Sequence, residues 1–218
     1  MLMPWNRTKF QAGGCRGVGS HAGPKLCSPA NWTHPRWIDS RPYCLVASDQ
    51  GKTSQCAAYS VAGWLETRNW RTTHVAEQVD AAPIYAEAKR IDGTSSEGTY
   101  LTSVAQAVQN LKLVQGTIRS AEVRTLDDLQ FALHRDAVCL GAFMATRGWN
   151  ACDPKTGWIG GSSEAVGGHA VLMCWYQDGK GVGWQNSWSP TWGMQGFGRM
   201  TEAQFREQWL GGLALEIV

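Results

Sequence analysis

The hydrophobic period changes part-way along this chain, and that change limits the folds open to it. Within residues 54–69, Ala58, Val61, Ala62 and Leu65 occupy the i, i+3, i+4 and i+7 positions of one helical face. Thr53 or Ser54 is the expected N-cap. Residues 80–90 form a second helical pattern, with Pro83 in its first turn and Asp92-Gly93 closing it. Residues 99–111 predict a third helix and residues 126–134 a short fourth. Beyond these the period shortens. Segments 137–144, 170–176, 183–186, 196–200 and 213–218 read as strands between Gly, Asp and Pro, with a short helix at 201–209. Helices followed by an antiparallel sheet predict an α+β fold.

Composition narrows the function classes. With 43% hydrophobic and 17% charged residues in 218, the chain is too apolar to stay disordered. A net charge of +2 supplies no field for nucleic acid or an anionic membrane. No stretch approaches the roughly 20 apolar residues that span a bilayer, and residues 1–9 lack the pattern of a signal peptide. A cytoplasmic protein without nucleic-acid or membrane partners is expected. The seven cysteines are odd in number and contain no C-x-x-C pair, which disfavours a disulfide framework and a structural zinc site. No metal or cofactor is expected, and at least one thiol is free. Residues 1–30, rich in Gly, Ser and basic residues, read as an irregular or mobile extension, and residues 32–42 as an extended segment along a surface.

Cys56 stands at the start of the first predicted helix. There the helix dipole and unpaired N–H groups favour a thiolate, so Cys56 is placed to be a nucleophile; taken singly, a free cysteine is as readily a small buried hydrophobe. Gln50, six residues upstream, carries amide donors that can hold an oxyanion together with the Cys56 N–H. His169 opens an apolar strand after Gly167-Gly168, and Asn186 follows in Gln185-Asn186-Ser187-Trp188. An Asn186 oxygen accepting the imidazole Nδ1–H would fix the tautomer and leave the other nitrogen for the thiolate, with Trp188 shielding the bond. Each of these residues alone has an ordinary structural reading.

Together they resemble the papain-like cysteine peptidases. The order oxyanion Gln50, nucleophile Cys56, base His169, orienting Asn186 is the family's, and residues 186–197, NSWSPTWGMQGF, are similar to its N-S-W-x-x-x-W-G-x-x-G-[YF] run. Asp39-Ser40-Arg41 before Asp49-Gln50-Gly51 is similar to the family's mature N-terminal strand, and residues 84–93 before Glu97-Gly98-Thr99 look like its bacterial and phage-borne branch. The resemblance covers residues 31–218. It implies a helical lobe at about 50–115, a β-sheet or barrel lobe at about 116–218, and a cleft between them that takes a polypeptide substrate. It further implies that Gly98, Gly168 and Trp188 contact that substrate.

The departures carry information too. The family's C-G-S-C-[WY] stretch is Thr53-Ser54-Gln55-Cys56-Ala57 here, so a cysteine usually paired in a disulfide is Thr53, in keeping with a reducing compartment. His169 and Asn186 follow Cys56 by 113 and 130 residues, against roughly 130 to 150 in the family, which implies shorter loops between the lobes. Residues 1–30 are too short for the family's helical propeptide. The chain is then either active as synthesised or restrained by its own amino-terminal strand lying in the cleft. Endopeptidase activity is the leading expectation. Acyl transfer, deamidation or peptidoglycan-peptide cleavage would use the same residues, and a catalytically inactive peptide-binding protein is the alternative of another class.

Overall fold

The computed structural model describes residues 14–19, 23–26, 29 and 31–218. Strand β1 (Trp37–Asp39) leads through a 3₁₀ turn (Arg41–Tyr43) to helix α1 (Cys56–Thr73), followed by α2 (Ala81–Asp92) and α3 (Leu101–Asn110). The rest alternates β2 (Ile118–Val123), α4 (Leu126–Asp136), β3 (Cys139–Thr146), β4 (Ala165–Gln177), β5 (Gly181–Gln185), β6 (Phe197–Thr201), α5 (Glu202–Gln208) and β7 (Trp209–Ile217). The strands make one open antiparallel sheet in the order β2-β7-β3-β4-β5-β6, with β1 paired to the far end of β4. This is an α+β fold of two lobes, a helical one and a sheet one.

Strand periodicity explains why the sheet is covered on both faces. Along β4, Ala170, Leu172 and Cys174 enter a core shared with α1, α2 and α3, while Val171, Met173 and Tyr176 enter a second core rich in Trp and Phe. β3 divides likewise, Leu140 and Ala142 to the first core and Cys139, Phe143 and Ala145 to the second. Helix α1 is wedged between α2, α3 and the sheet, and eleven of its residues from Cys56 to Thr67 are buried. A helix covered on all sides needs small residues where it meets the sheet; a Cβ on Gly63 would stand 3.1 Å from a Leu172 methyl.

Several expectations change in detail. Gln55, not Thr53 or Ser54, occupies the N-cap of α1, with no side-chain cap. Both hydroxyls are engaged elsewhere, Thr53 donating to the Gln50 carbonyl at 2.7 Å and Ser54 to the Glu97 carboxylate at 2.8 Å. Asp80 does cap α2, accepting from the Ala82 N–H at 3.0 Å. The amino-terminal region is not simply an irregular appendage. Leu26 donates to the Glu122 carbonyl and Glu122 to that of Pro24, so residues 24–26 add to the edge of β2, and Cys15, Val18 and Leu26 are buried.

Glu66 is buried on α1, its carboxylate accepting the Val79 N–H at 2.9 Å. Burial raises its pKa to about 7, outweighing that bond. A folded-state pKa above the unfolded one means that the folded protein holds the extra proton. Stability is therefore lost as pH rises from about 4.5 to 7. Glu66→Gln keeps the acceptor and removes the charge. Its unfolding free energy should match the parent's near pH 4.5 and exceed it above pH 7 by on the order of 3 kcal/mol, as measured by denaturant titration at each pH.

Candidate active site

Hairpin pairing brings the histidine and asparagine together. β4 pairs with β5 so that Leu172 faces Gln185, which sets Asn186 beside the start of the histidine strand. Asn186 Oδ1 accepts from His169 Nε2 at 2.7 Å and from the Ser187 N–H at 2.9 Å, so the amide is held from two sides. The ring nitrogen used is Nε2, not the Nδ1 expected from the sequence. The reach of the β5 end meets the far side of the ring, and Nδ1 is left without a hydrogen-bond partner among the described residues. Trp188 lies over the imidazole with ring centroids 4.5 Å apart and planes tilted by 34°, and Trp149 meets the ring edge-on at 5.7 Å.

Gln50 is delivered to the same place by strand pairing. Gln50 N–H donates to the Ser187 carbonyl and Ser189 N–H to that of Ser48, so residues 48–50 run along the Asn-Ser-Trp segment. The Gln50 carboxamide is fixed at both ends, its oxygen accepting from the Ser187 hydroxyl at 2.6 Å and its nitrogen donating to the Thr53 carbonyl at 2.7 Å. One of its two N–H groups remains for another acceptor. Cys56 is the first residue of α1, and its sulfur approaches the backbone N–H groups of Ala57 and of Ala170, the residue after His169.

The amino-terminal segment lies across this cleft. Thr99 donates to the Gly14 carbonyl at 3.0 Å and accepts from the Arg16 N–H at 3.1 Å, a parallel pairing about Cys15. On the other wall Cys15 N–H donates to the Gly168 carbonyl at 3.3 Å. The fit leaves no spare room: a Cβ on Gly14 would stand 2.7 Å from the Ser54 carbonyl oxygen and 2.9 Å from Cys56 Sγ, and one on Gly168 2.1 Å from the Cys15 carbonyl oxygen.

Coverage reverses the protonation expected from the sequence. Cys56 and His169 are both fully buried. Burial pushes the Cys56 thiol far up, with Cys15 adding to the rise, and this outweighs the N–H groups of Ala170, Ala57 and Cys56. Burial likewise pushes His169 down to about 4 against the opposing Asn186 bond. In the covered cleft the pair is thiol and neutral imidazole. The helix terminus still favours a thiolate here, but the loss of water disfavours it by more.

Neither a protein-family model nor a curated protein matches the sequence. Solved structures do match the fold. Xylellain, a cysteine protease from Xylella fastidiosa, superposes with a TM-score of 0.81 at 16% identity, covering 98% of this chain and 99% of that one. Procathepsin B S9 from Trypanosoma congolense gives 0.71 at 14% identity over 94% and 87% of the two chains. Digestive procathepsin L 3 of the Tenebrio molitor larval midgut gives 0.69 at 14% over 93% and 76%. The chain has the papain-like cysteine protease fold.

Within this papain-like fold, sequence reasoning picked out Cys56, His169, Asn186, Gln50, Gly168 and Trp188, and the structure gathers all six around one cleft. Gly98 stands one residue aside. Its N–H donates to the Tyr85 hydroxyl and its carbonyl accepts from the Lys89 ammonium, and the backbone ladder in the cleft is made by Thr99. Three contributors escaped the sequence reading. Ser187, which orients Gln50, has no role of its own in the Asn-Ser-Trp motif as read from the sequence. Trp149 stands 20 residues before His169, outside every motif, and announces itself only by its contact with that ring. Cys15 lies in a segment without periodicity.

Proposed function

We propose that the protein is a cysteine peptidase whose cleft is closed by its own amino-terminal segment. The observation that carries the reading is the His169–Asn186 hydrogen bond under Trp188, which holds the ring with Nδ1 uncommitted on the strand whose next residue, Ala170, meets the Cys56 sulfur. Once the cleft opens, Cys56 and His169 exchange a proton to form thiolate and imidazolium. Cys56 then attacks the substrate carbonyl, and the Cys56 N–H and the remaining Gln50 N–H take the developing oxyanion. His169 protonates the leaving amine and afterwards activates water, while Asn186 keeps the ring in one tautomer.

The segment acts as a plug rather than as a substrate. Gly14 lies against the thiol, where a Cβ on it would stand 2.9 Å from Cys56 Sγ, and its carbonyl accepts from the Thr99 N–H at 3.0 Å. Peptidyl epoxide labelling tests the assignment: Cys56 should be modified stoichiometrically once the plug is displaced, and labelling of a different cysteine would overturn it.

Gln50→Ala separates the oxyanion role from mere packing. Loss of one such donor costs about 3 kcal/mol of barrier, so kcat should fall roughly 10²-fold with KM little changed. Steady-state kinetics on a fluorogenic peptide read both parameters.

A further inference from the structure

A second pair of thiols lies outside the cleft. Cys44 follows the 3₁₀ turn after β1, and Cys174 lies in β4, five residues beyond His169. The register of β1 on β4 continues to Ser40, whose N–H donates to the Cys174 carbonyl at 2.8 Å. The chain then turns back, Cys44 N–H bonding the Arg41 carbonyl at 3.0 Å and the Cys44 thiol reaching the Ser40 carbonyl at 3.6 Å. This return sets the Cys44 thiol within hydrogen-bonding reach of the Cys174 thiol. Thr67 of α1 closes the group, its hydroxyl 3.9 Å from Cys44 Sγ.

We infer that Cys44 and Cys174 are a redox-active dithiol that closes to a disulfide under a small-molecule disulfide oxidant, stapling the arm that leads to Gln50 onto the histidine strand. The exposures set the order of events. Cys44 is partly exposed and Cys174 is not, so Cys44 is the entry thiol. Its thiolate attacks one sulfur of glutathione disulfide, forming a mixed disulfide and releasing one glutathione thiolate. Cys174 then attacks Cys44 Sγ, the mixed disulfide breaks, and the second glutathione leaves. The protein loses two electrons and two protons, and both protons end on the glutathione thiolates. The Arg41 guanidinium acts electrostatically on both sulfurs, and at Cys174 it opposes the rise in pKa that burial and the Cys44 thiol impose. Neither thiol belongs to the proposed peptidase machinery, so this inference stands or falls apart from that reading.

The test treats the folded full-length chain with glutathione disulfide, blocks remaining thiols with iodoacetamide, and maps peptides without reduction. A Cys44–Cys174 cross-link is expected, reversed by dithiothreitol. The melting temperature should rise by roughly 5–10 °C on oxidation, because the bridge closes a very long loop. Cys44→Ala, a substitution at the more exposed partner, should fold and lose both the cross-link and the shift. Recovery of both cysteines as alkylated free thiols from the oxidised protein overturns the proposal, as does pairing of either with any other cysteine.

Discussion

In a peptide-hydrolysis assay the Gly14→Ala protein is expected to turn over substrate roughly tenfold faster or more than the parent chain. Gly14 lies outside the left-handed region of backbone space, so alanine there brings no conformational strain of its own. The whole effect comes from one methyl group meeting the Ser54 carbonyl and the Cys56 sulfur at 2.7 and 2.9 Å. Neither neighbour can give way cheaply, since one is backbone and the other is buried on α1. Overpacking of this kind costs about 1–3 kcal/mol, which shifts the ratio of plugged to open cleft by roughly 5- to 150-fold. The same displacement rehydrates Cys56 and His169. The thiol pKa then falls from its buried value and that of His169 rises from about 4. Alkylation of Cys56 should therefore become fast near pH 6 in Gly14→Ala, while in the parent it stays slow until the pH is raised. Removing residues 1–19 should give the same result and spare the pairing of residues 24–26 with β2. Equal turnover and equal alkylation in parent and Gly14→Ala would mean that the segment does not restrain the site.

The fold was legible in the sequence because the two hydrophobic periods map onto two kinds of layer. Ala58, Val61, Ala62 and Leu65 did face the core, as their spacing required, and the alternation in β4 did divide between two cores. The N-cap of α1 was not legible, because the hydroxyls that would cap it bond to Gln50 and Glu97, and Glu97 lies 43 residues from Ser54. Strand β2 was missed for a similar reason: Ile-Arg-Ser-Ala-Glu-Val alternates weakly, and its place is set by β7 and by residues 24–26. The site residues stood out through their order, yet their ionisation did not follow from it. A thiolate at a helix N-terminus is a statement about local dipoles. Its reversal here is a statement about burial, supplied by a segment 40 residues upstream that carries no helical or strand signature of its own. Three-dimensional cover of that kind leaves no periodic trace in the sequence.

Cys56→Ala is expected to abolish peptide hydrolysis while leaving the fold in place. The side chain lost is small and sits among Ala57, Ala58 and Gly14, so the cavity is limited to one sulfur and the melting temperature should move by only a few degrees. The chemical loss is of another order. Removing the nucleophile from a triad-type site costs on the order of 10⁶ in kcat, since His169 and the oxyanion donors then have no covalent intermediate to serve. Combining Cys56→Ala with Gly14→Ala gives the sharper test. The second substitution still meets the Ser54 carbonyl at 2.7 Å, so it opens the cleft without the sulfur and should restore binding of a peptide, measured by fluorescence polarisation, but no cleavage should accompany it. The gain from Gly14→Ala must vanish entirely when the thiol is absent, because exposing a site without its nucleophile exposes only a groove. Hydrolysis that survived in the double variant would assign the chemistry to some other residue and leave the His169–Asn186 pair as architecture alone. Full binding with hydrolysis lost only when Cys56 is absent would instead tie the exposed groove and the catalysis to one and the same sulfur.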